Sequence, residues 1–373
     1  MAGPLSGYRI IELAGIGPGP YAGQLLADMG AEVILINRPG PLAHVPHISN
    51  RGKKTMVLDL RQPDGVAVLL DLIKTADGLF EGLRPGVVER LGVGPEACHA
   101  INPKLVYGRM TGWGQTGPWA KVAGHDINYI SITGALHAMG TPDVPPTPPL
   151  NLVGDYGGGT MFLVMGILAA LLQAEKTGKG DIVDAAMVDG VNSLMSMFHA
   201  MSGIGQWTPE RGSNLLDGAM PYYRCYATAD AKFMAVGAIE PQFFALLLAH
   251  LEIDPAEYGG QNDRSKFASQ HAILEARFAT KTRDAWAEIF AGSDACVSPV
   301  LTYVEAADHP QIAARNGLVK QGPFTHPAAA PVFANHPASG PADIPGAQDD
   351  TDEILADLNY SAEKIAILKG GKT

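Results

Sequence analysis

Short apolar runs recur along the first third of the chain, and each is bounded by turn-forming residues. Runs of this kind are typical of strands buried in a parallel sheet. Helical stretches lie between some of them, at 21–29 and 64–75. The predicted strands are YRIIEL (8–13), EVILIN (32–37), TMVLDL (55–60), GLFEGL (78–83) and KLVYGRM (104–110). This alternation predicts an α/β fold with a Rossmann-like large domain, in preference to a helical bundle or a β-sandwich.

The pattern changes after the proline-rich segment TPDVPPTPPL (141–150). We predict a glycine turn at GDYGGG (154–159), a buried helix at MFLVMGILAALL (161–172), and then a strand edge and a second helix over 181–201. A strand and helix restart at 233–251, and helices near 282–291 complete a smaller α+β domain. Residues 320–348 are rich in proline and alanine, which favours an extended return path, and the last twenty or so residues predict two short helices.

These elements predict four divisions of the chain. Residues 1–190 form the Rossmann-like large domain and 191–222 a linker helix region. Residues 223–315 form the small domain, and 316–373 return as a linker and C-terminal helices that pack on the large domain.

Composition narrows the class of protein and of ligand. The 373 residues are 46% hydrophobic and 17% charged, which indicates a folded protein with more than one core. A net charge of -11 argues against nucleic acid or an anionic membrane surface as partner and favours a small ligand. Cys98, Cys225 and Cys296 are widely spaced and odd in number, so we expect a cytoplasmic, reducing location and no metal site. The apolar run at 161–172 is shorter than the roughly 20 residues that span a bilayer, so no membrane span is expected.

The turn after the first predicted strand imitates a dinucleotide-binding motif without completing it. Gly15 and Gly17 fit the G-x-G-x-x-G pattern, but Pro20 stands at its third glycine. Asn37 and Arg38 close the second strand, and an arginine there suits the phosphorylated ribose of coenzyme A or NADP. Further basic residues lie near strand ends. Any one of them could be a solvated surface charge, but together they favour phosphate recognition. They lie in NRGKKT (50–55), at Arg61, in LRPG (83–86) and at Arg90.

Two candidate proton-transfer groups stand at junctions between loops and helices. His125 precedes a helix-like run, where the positive helix end favours a neutral imidazole that can accept a proton. Asp155 precedes a glycine-rich helix start, where backbone amides can hold a carboxylate. Either residue alone could be structural, as the neighbour of a helix cap or as a cap. Together, at one edge of a parallel sheet, they suit removal of a proton from one face of a carbon and its return to the other.

Long ordered motifs give the chain a resemblance to a known family over its whole length. They resemble the α-methylacyl-CoA racemases of the family III CoA-transferase superfamily. This resemblance implies an interlocked homodimer, an acyl-CoA thioester substrate, and no cofactor or metal beyond the CoA of the substrate. The motifs are GPLSGYRIIELAGIGPGPYAGQLLADMGAEVI, NRGKKTMVLDL, LRPGVVERLG, TGWGQTGPWA, GHDINYISITG, NLVGDYGGG, DAAMVDG and GAIEPQFF.

The resemblance also implies roles for individual residues. His125 and Asp155 are the two bases, each serving one face of the α-carbon, and Glu240 reaches the catalytic histidine of the neighbouring subunit. The backbone amide of Asp126 holds the thioester oxygen as an enolate forms, a role that an amide at a helix start suits. The implied CoA-binding and substrate-binding positions are Arg38, Leu58, Asp59, Leu60, Arg61, Gly82, Leu83, Arg84, Arg90, Gly124 and Tyr129. Asn37 and Arg61 depart from the residues that relatives often carry, which affects adenosine contacts.

Three other functions remain as alternatives. A family III CoA transferase would use Asp155 as a nucleophile and would not need His125. An NADP-dependent dehydrogenase would use Arg38, although Pro20 speaks against it. A non-catalytic acyl-CoA carrier would need the arginines only. The preferred acyl chain, whether branched fatty acid, sterol side chain or aryl-propionate, stays open. A methionine group could line an acyl surface or simply fill the core: Met187, Met195, Met197, Met201 and Met220.

Overall fold

The computed structural model describes residues 3–40, 47–321, 324–336 and 349–370. Contacts within these ranges divide the chain into two units. The first contains Met1–Thr133, Pro149–Met195 and Arg315–Thr373, and the second contains Gly134–Pro148 and Ser196–Ala314.

The sequence placed Gly134–Pro148 in the large domain, but the structure groups it with the second unit. The guanidinium group of Arg211 explains this assignment, because it donates to the carbonyl oxygens of His137, Thr141 and Val144. Residues 196–222, predicted as a linker helix region, likewise belong to the second unit.

A six-stranded parallel sheet organises the first unit. Its strands, β1 to β6, are Arg9–Leu13, Glu32–Asn37, Lys54–Val57, Gly78–Glu81, Val106–Thr111 and Ile182–Ala186. They lie in the order β3-β2-β1-β4-β5-β6, with Ile10 paired to Val33 on one side and to Gly78 on the other. The predicted α/β fold with a Rossmann-like parallel sheet is confirmed, since this order is that of dinucleotide-binding folds.

Helices cover both faces of the sheet. The first seven, α1 to α7, are Pro18–Asp28, Pro63–Ile73, Val87–Arg90, Pro95–Ile101, Asp126–Ile132, Met161–Thr177 and Met187–Leu194. A proline in the first turn starts α1, α2 and α4, where its missing N–H costs nothing. One apolar cluster includes Leu69 of α2 and Leu79 of β4, and another includes Leu26 of α1 and Ile167 of α6. The sheet is therefore buried on both sides, which explains its continuous apolar strands.

The glycine-rich stretch before α6 is helical, and our prediction of a turn there was wrong. Residues Leu152–Thr160 form a π-helical segment that runs directly into α6. Its backbone lies against α7 so closely that a Cβ at Gly190 would be 1.9 Å from the carbonyl oxygen of Gly158. Glycines are therefore needed here for helix packing rather than for a turn.

The combined helix Leu152–Thr177 is 26 residues long and, by length and composition, could cross a membrane. Half of its most apolar window is buried within the protein. Leu163 and Ile167 of α6 lie in the core beside the sheet. This is the packing of a core helix, as the apolar run at 161–172 predicted.

The second unit is a small α+β arrangement. Strands β7 to β9, at Tyr223–Ala227, Phe233–Gly237 and Val297–Pro299, form an antiparallel sheet in that order. Its helices, α8 to α13, are Ser196–Gly203, Pro241–His250, Pro255–Tyr258, Phe267–Phe278, Arg283–Phe290 and Pro310–Ala314. Tyr226, Phe278 and Trp286 lie in its core, where the rings of Tyr226 and Phe278 stack at 5.2 Å.

The chain then returns to the first unit. Strands β10 and β11, Leu318–Gln321 and Phe324–Pro327, pair antiparallel where the sequence predicted only an extended path. Of that predicted path, residues 322–323 and 337–348 lie outside the described residues. Helices α14 and α15, Thr351–Asp357 and Ala362–Gly370, follow, and Ile354 and Leu355 of α14 pack in the core under β3 and α2.

The Gly158–Gly190 approach gives a stability test. Gly190→Ala is expected to lower the free energy of unfolding by about 2–3 kcal/mol, because the new methyl group cannot fit beside the Gly158 carbonyl. Gly203→Ala in α8 is the matched control, since a Cβ at Gly203 meets no atom within 4 Å. Denaturant unfolding of both variants measures the difference, and equal stabilities would contradict the close packing.

Candidate active site

Two adjoining cavities open at the carboxyl ends of the parallel strands. One has a volume of about 410 Å³ and the other about 450 Å³, and Leu13 and Leu83 line both. Leu13 ends β1 and Leu83 follows β4, and the strand order of the sheet reverses between these two strands. Loops diverge at such a point, and ligands of doubly wound sheets bind there. One elongated ligand could therefore occupy both cavities.

The first cavity contains both predicted bases. His125 and Asp155 line it together with the β1–α1 loop, the Gly82–Arg84 turn and the segment before α5. Its further lining residues are Leu13, Gly15–Gly19, Phe80, Pro85, Met110–Trp113, Ala120, Val122–Gly124, Tyr129 and Met187. The sequence predicted that His125 and Asp155 would gather at one edge of the sheet, and the structure places them in one cavity.

His125 is exposed at the N-cap position of α5, with an extended backbone. Its own amide donates to Asn128 Oδ1 at 3.0 Å, and its carbonyl accepts from the Asn128 amide at 2.8 Å. These bonds fix the backbone at the helix start and leave the imidazole at the cavity wall. The backbone of His125 is therefore fixed at the helix start, and its side chain lines the first cavity.

Asp155 lies in the π-helical segment and is half-buried. Its Oδ2 accepts from Asn151 Nδ2 at 3.5 Å, and it lies close to Gly17, where a Cβ would be 3.0 Å away. Burial raises the pKa of Asp155 above the ordinary aspartate value, and the charge of Asp126 adds to the rise. The Asn151 hydrogen bond and the nearby His125 act in the opposite direction. A carboxyl group with a raised pKa binds a proton more strongly, so it is a stronger base when ionised and is protonated more often near neutral pH.

The side chain of Asp126 joins the two elements that carry the bases. Asp126 Oδ2 accepts from the Asp155 amide at 2.7 Å, and the side chain is buried. Gly154 allows this approach, because a Cβ there would lie 2.5 Å from Asp126 Oδ2. The sequence singled out the Asp126 amide and missed the carboxylate, although the neighbouring Gly154 gave a hint of close packing.

Gly124 and Tyr129 shape the wall behind His125. The Tyr129 hydroxyl donates to the Gly124 carbonyl oxygen, and the ring of Tyr129 meets that of Trp113 edge-on at 4.8 Å. Trp113 in turn meets Trp119 edge-on at 4.9 Å. Both predicted residues therefore line the first cavity, and they support the segment that ends at His125.

The second cavity is lined by most of the residues predicted to grip the nucleotide. Arg38, Arg61 and Arg90 supply positive charge, while Asp59 is the one acidic residue among the described residues that line this cavity. Asp59 binds the Arg61 guanidinium through both oxygens, at 2.8 and 2.9 Å, so Arg61 is already paired. The other lining residues are Leu13, Ala14, Ile36, Asn37, Pro39, Leu58, Leu60, Leu83, Val87 and Leu91. Arginines beside an apolar floor suit a phosphorylated nucleotide.

Glu81 holds the turn that connects the two cavities, and the sequence analysis missed it. Its Oε2 accepts from the Leu83 amide at 2.6 Å, and its Oε1 lies 3.3 Å from Arg109 Nε. Arg109 Nη1 also pairs with Glu89 of α3 at 2.9 Å, the helix that ends with Arg90. Burial raises the pKa of Glu81 to about 7. The signal that could have revealed this network is a charged residue inside each of the apolar strands GLFE and VYGRMT.

The remaining candidates lie in separate places. Glu240 is exposed at the N-cap of α9 in the second unit, and its contact with the histidine of a neighbouring subunit stays a prediction. Met187 lines the first cavity, whereas Met220 lies in the core of the second unit, and Met197 is 48% exposed. Only Met187 of these three is thereby placed to contact an acyl group. Among the described residues, no group of three or more His, Cys, Asp or Glu side chains is arranged to hold a metal ion.

Comparisons with known proteins show the family to which the chain belongs. The family described as CoA-transferase family III matches residues 5–351. The chain is 42% identical over 363 residues to a mouse protein named alpha-methylacyl-CoA racemase, covering 97% of this chain and 95% of that protein. The human protein of the same name is 41% identical over 375 residues, covering 99% and 97%. A solved structure, a CAIB/BAIF family protein from Brucella suis, matches with a TM-score of 0.82 and 25% identity, covering 96% of this chain and all of that one.

The raised pKa of Glu81 predicts how stability depends on pH. A carboxyl group whose pKa is raised on folding contributes stability below its ordinary pKa and loses it as the pH rises through the folded value, here from about 4.5 to about 7. Glu81→Gln cannot titrate, so its stability relative to the wild type should increase by about 2–3 kcal/mol between pH 4 and pH 8.

Denaturant unfolding of both proteins across this pH range measures the effect. Glu288→Gln on the exposed face of α12 is the control and should give a constant difference. A constant difference for Glu81→Gln as well would refute the raised pKa.

Proposed function

Because this chain belongs to CoA-transferase family III, and its mouse and human relatives named alpha-methylacyl-CoA racemase match it over nearly their full length, we propose that it is an α-methylacyl-CoA racemase. It interconverts the (2R) and (2S) forms of 2-methylacyl-CoA thioesters. The observation that carries this proposal is the position of two groups. The imidazole of His125 and the carboxyl group of Asp155 line the first cavity, which adjoins the arginine-lined second cavity.

The two cavities suit the two ends of an acyl-CoA. The nucleotide and its phosphates lie in the second cavity beside Arg38 and Arg90, and the pantetheine arm passes Leu13 and Leu83. The thioester then reaches the first cavity between His125 and Asp155. CoA enters as part of the substrate, and the proposed reaction needs no further cofactor.

The chemistry is a 1,1-proton transfer with two bases. Neutral His125 or ionised Asp155 removes the α-proton, and the opposite group, protonated, returns a proton to the other face. The enolate between these steps is planar, so the configuration is lost there. The raised pKa of Asp155 favours this exchange of roles, because it brings the proton affinity of the carboxyl closer to that of an imidazole.

The developing negative charge falls on the thioester oxygen. In the proposed complex the backbone amide of Asp126, the first residue of α5, donates to this oxygen. The amide is suited to this task because it adjoins His125 at the cavity wall, and an oriented donor stabilises an enolate more than a neutral thioester.

A homodimer is part of the proposal. In it Glu240 of the partner subunit orients His125, and its exposure at the start of α9 leaves it available for such a contact. A cytoplasmic location is proposed as well, since all three cysteines are free thiols.

A CoA transferase is the second candidate, and the family name itself favours it. In that reaction Asp155 attacks the thioester carbonyl and displaces the CoA thiolate, which leaves a mixed anhydride. The thiolate then attacks the Asp155 carbonyl, releases the first acid and leaves CoA on the enzyme as a thioester for transfer to the second acid. His125 in the same cavity favours proton transfer instead, because a transferase has no step that requires it.

Exchange of the α-proton in deuterated water separates the two bases. The wild type should take up deuterium from either enantiomer of a 2-methylacyl-CoA and form both epimers, with a bell-shaped rate between pH 5 and 9. His125→Ala and Asp155→Asn should each lose roughly 10³-fold in racemisation while each keeps exchange, without inversion, for one enantiomer only. NMR follows both readouts, and His199→Ala, an exposed histidine of the second unit, is the control.

Failure of the wild type to exchange, with CoA transfer once a free acid is added, would instead assign Asp155 as the nucleophile. Transfer that survives in His125→Ala would strengthen that assignment.

The proposed binding of the nucleotide in the second cavity is tested with a shortened substrate. Arg38→Ala should raise KM for the CoA thioester by roughly tenfold or more at similar kcat, because a charge-assisted phosphate contact is lost. The same variant should match the wild type with the corresponding pantetheine thioester, which lacks the nucleotide. Lys74→Ala, exposed on α2, is the control. An equal effect on both substrates would place Arg38 outside the nucleotide site.

A further inference from the structure

The carboxylate of Asp126 has no part in the proposed chemistry, yet it is the closest structural partner of Asp155. Its Oδ2 accepts from the Asp155 amide at 2.7 Å, and its side chain is 7% exposed. Its Oδ1 is buried with no hydrogen-bond partner among the described residues. Burying a carboxylate with only one hydrogen-bonded oxygen costs folding free energy. This cost indicates that the charge has a function.

We infer that the Asp126 carboxylate is a positioning residue that locks the π-helical segment to α5 and places its negative charge beside Asp155, so that the two bases are matched across the substrate. This inference rests on the proposed racemase function. It concerns the side chain, whereas the proposed oxyanion donor is the backbone amide of the same residue.

Geometry supports the positioning part. Asp126 is the first residue of α5, and Asp155 lies in the π-helical segment, so their hydrogen bond spans 29 positions in sequence. The approach is tight, because any side chain at Gly154 would place a Cβ 2.5 Å from Asp126 Oδ2. His125 directly precedes Asp126. One carboxylate thereby fixes the separation of the elements that carry both bases.

The electrostatics of the site supports an effect of the Asp126 charge on the pKa of Asp155. After burial, the negative charge of Asp126 is the main influence that raises the pKa of Asp155, while the Asn151 hydrogen bond and the charge of His125 lower it. Burial, Asp155 and Asp126 also raise the pKa of Tyr129 on α5.

The other elements that pack on the π-helical segment add no comparable charge. On α1, Asp28 pairs with Arg51, and Tyr21 lies against Tyr156. Asp189 of α7 is exposed.

The charged groups on β5 and β6 have other partners. Arg109 of β5 pairs with Glu81, and Asp184 of β6 accepts from the Gln115 amide. Asp126 is therefore the negative group that acts on Asp155.

The function of this charge follows from the two-base mechanism. Racemisation in the two directions requires Asp155 once as the base and once as the acid. An aspartate with an ordinary pKa would be almost fully ionised at neutral pH, would rarely carry the proton that it must donate, and would slow one direction. A neighbouring like charge makes the proton easier to hold, as in paired carboxylates.

Asp126→Asn is the direct test, because an amide oxygen can still accept from the Asp155 N–H while the charge is removed. We measure deuterium exchange for the enantiomer whose exchange Asp155→Asn abolishes. Its rate falls at low pH as Asp155 is protonated. In Asp126→Asn this acid limb should move to lower pH, so that the ratio of the rate at pH 5 to that at pH 8 rises roughly threefold or more.

Asn151→Ala is the matched control of opposite sign. It removes the hydrogen bond that lowers the pKa of Asp155, so its acid limb should move to higher pH. A purely structural role for Asp126 would reduce rates without moving the limb, and that outcome would overturn the inference. If Asp126→Asn does not fold, Gly154→Ala displaces the same carboxylate and should move the limb in the same direction.

A second readout needs no catalysis. The ¹³C resonance of the Asp155 carboxyl, assigned by its absence in Asp155→Asn, reports its pKa directly, and this value should be lower in Asp126→Asn than in the wild type. No exchange in the wild type would sink the proposed function and leave this titration standing. Exchange in the wild type with an unmoved titration in Asp126→Asn would sink only the present inference.

Discussion

The reversal of strand order between β1 and β4 is the constraint on which the rest of the first unit depends. Connections between parallel strands are right-handed. The connection from β1 to β2 and the connection from β4 to β5 run in opposite directions along the sheet, so they lie on opposite faces of it. The loops after Leu13 and Glu81 therefore diverge and open the crevice that both cavities share. The strand order itself creates this crevice, because the diverging loops leave the space between them unfilled.

Several buried charges hold the walls of that crevice in place. Lys53 is buried beneath α1 and donates to Glu12 at 2.6 Å and to the Pro20 carbonyl oxygen at 2.9 Å, which ties β1 to the first turn of α1. Glu81 does the same for the turn after β4. Such pairs add little net stability, since desolvation offsets their attraction. Their value here is geometric, because each fixes a loop that lines a cavity.

The strands were predictable because each is short, apolar and bounded by turn residues. EVILIN agrees with β2 at both ends, and the other predicted strands of the first third differ from the structure by one to three residues at their ends. GDYGGG was not predictable as a helix, since its glycines are equally typical of a turn. Only the neighbouring backbone of α7, which leaves no room for side chains at Gly158 and Gly190, makes a helical path favourable there. Gly134–Pro148 was misplaced for a similar reason, because Arg211, far along the chain, holds it.

The sequence by itself determined the parallel α/β architecture, the identity of His125 and Asp155 as proton-transfer candidates, and the choice of the arginines that line the second cavity as phosphate-binding candidates, since periodicity and residue chemistry are local properties. Tertiary structure alone decided that Asp126 binds the Asp155 amide, that Glu81 holds the Leu83 amide, and that two cavities meet at Leu13 and Leu83. Except for the local Glu81–Leu83 hydrogen bond, these features join positions far apart in the chain. The pKa values of Asp155 and Glu81 depend on burial and on neighbouring charges, which exist only once the chain has folded.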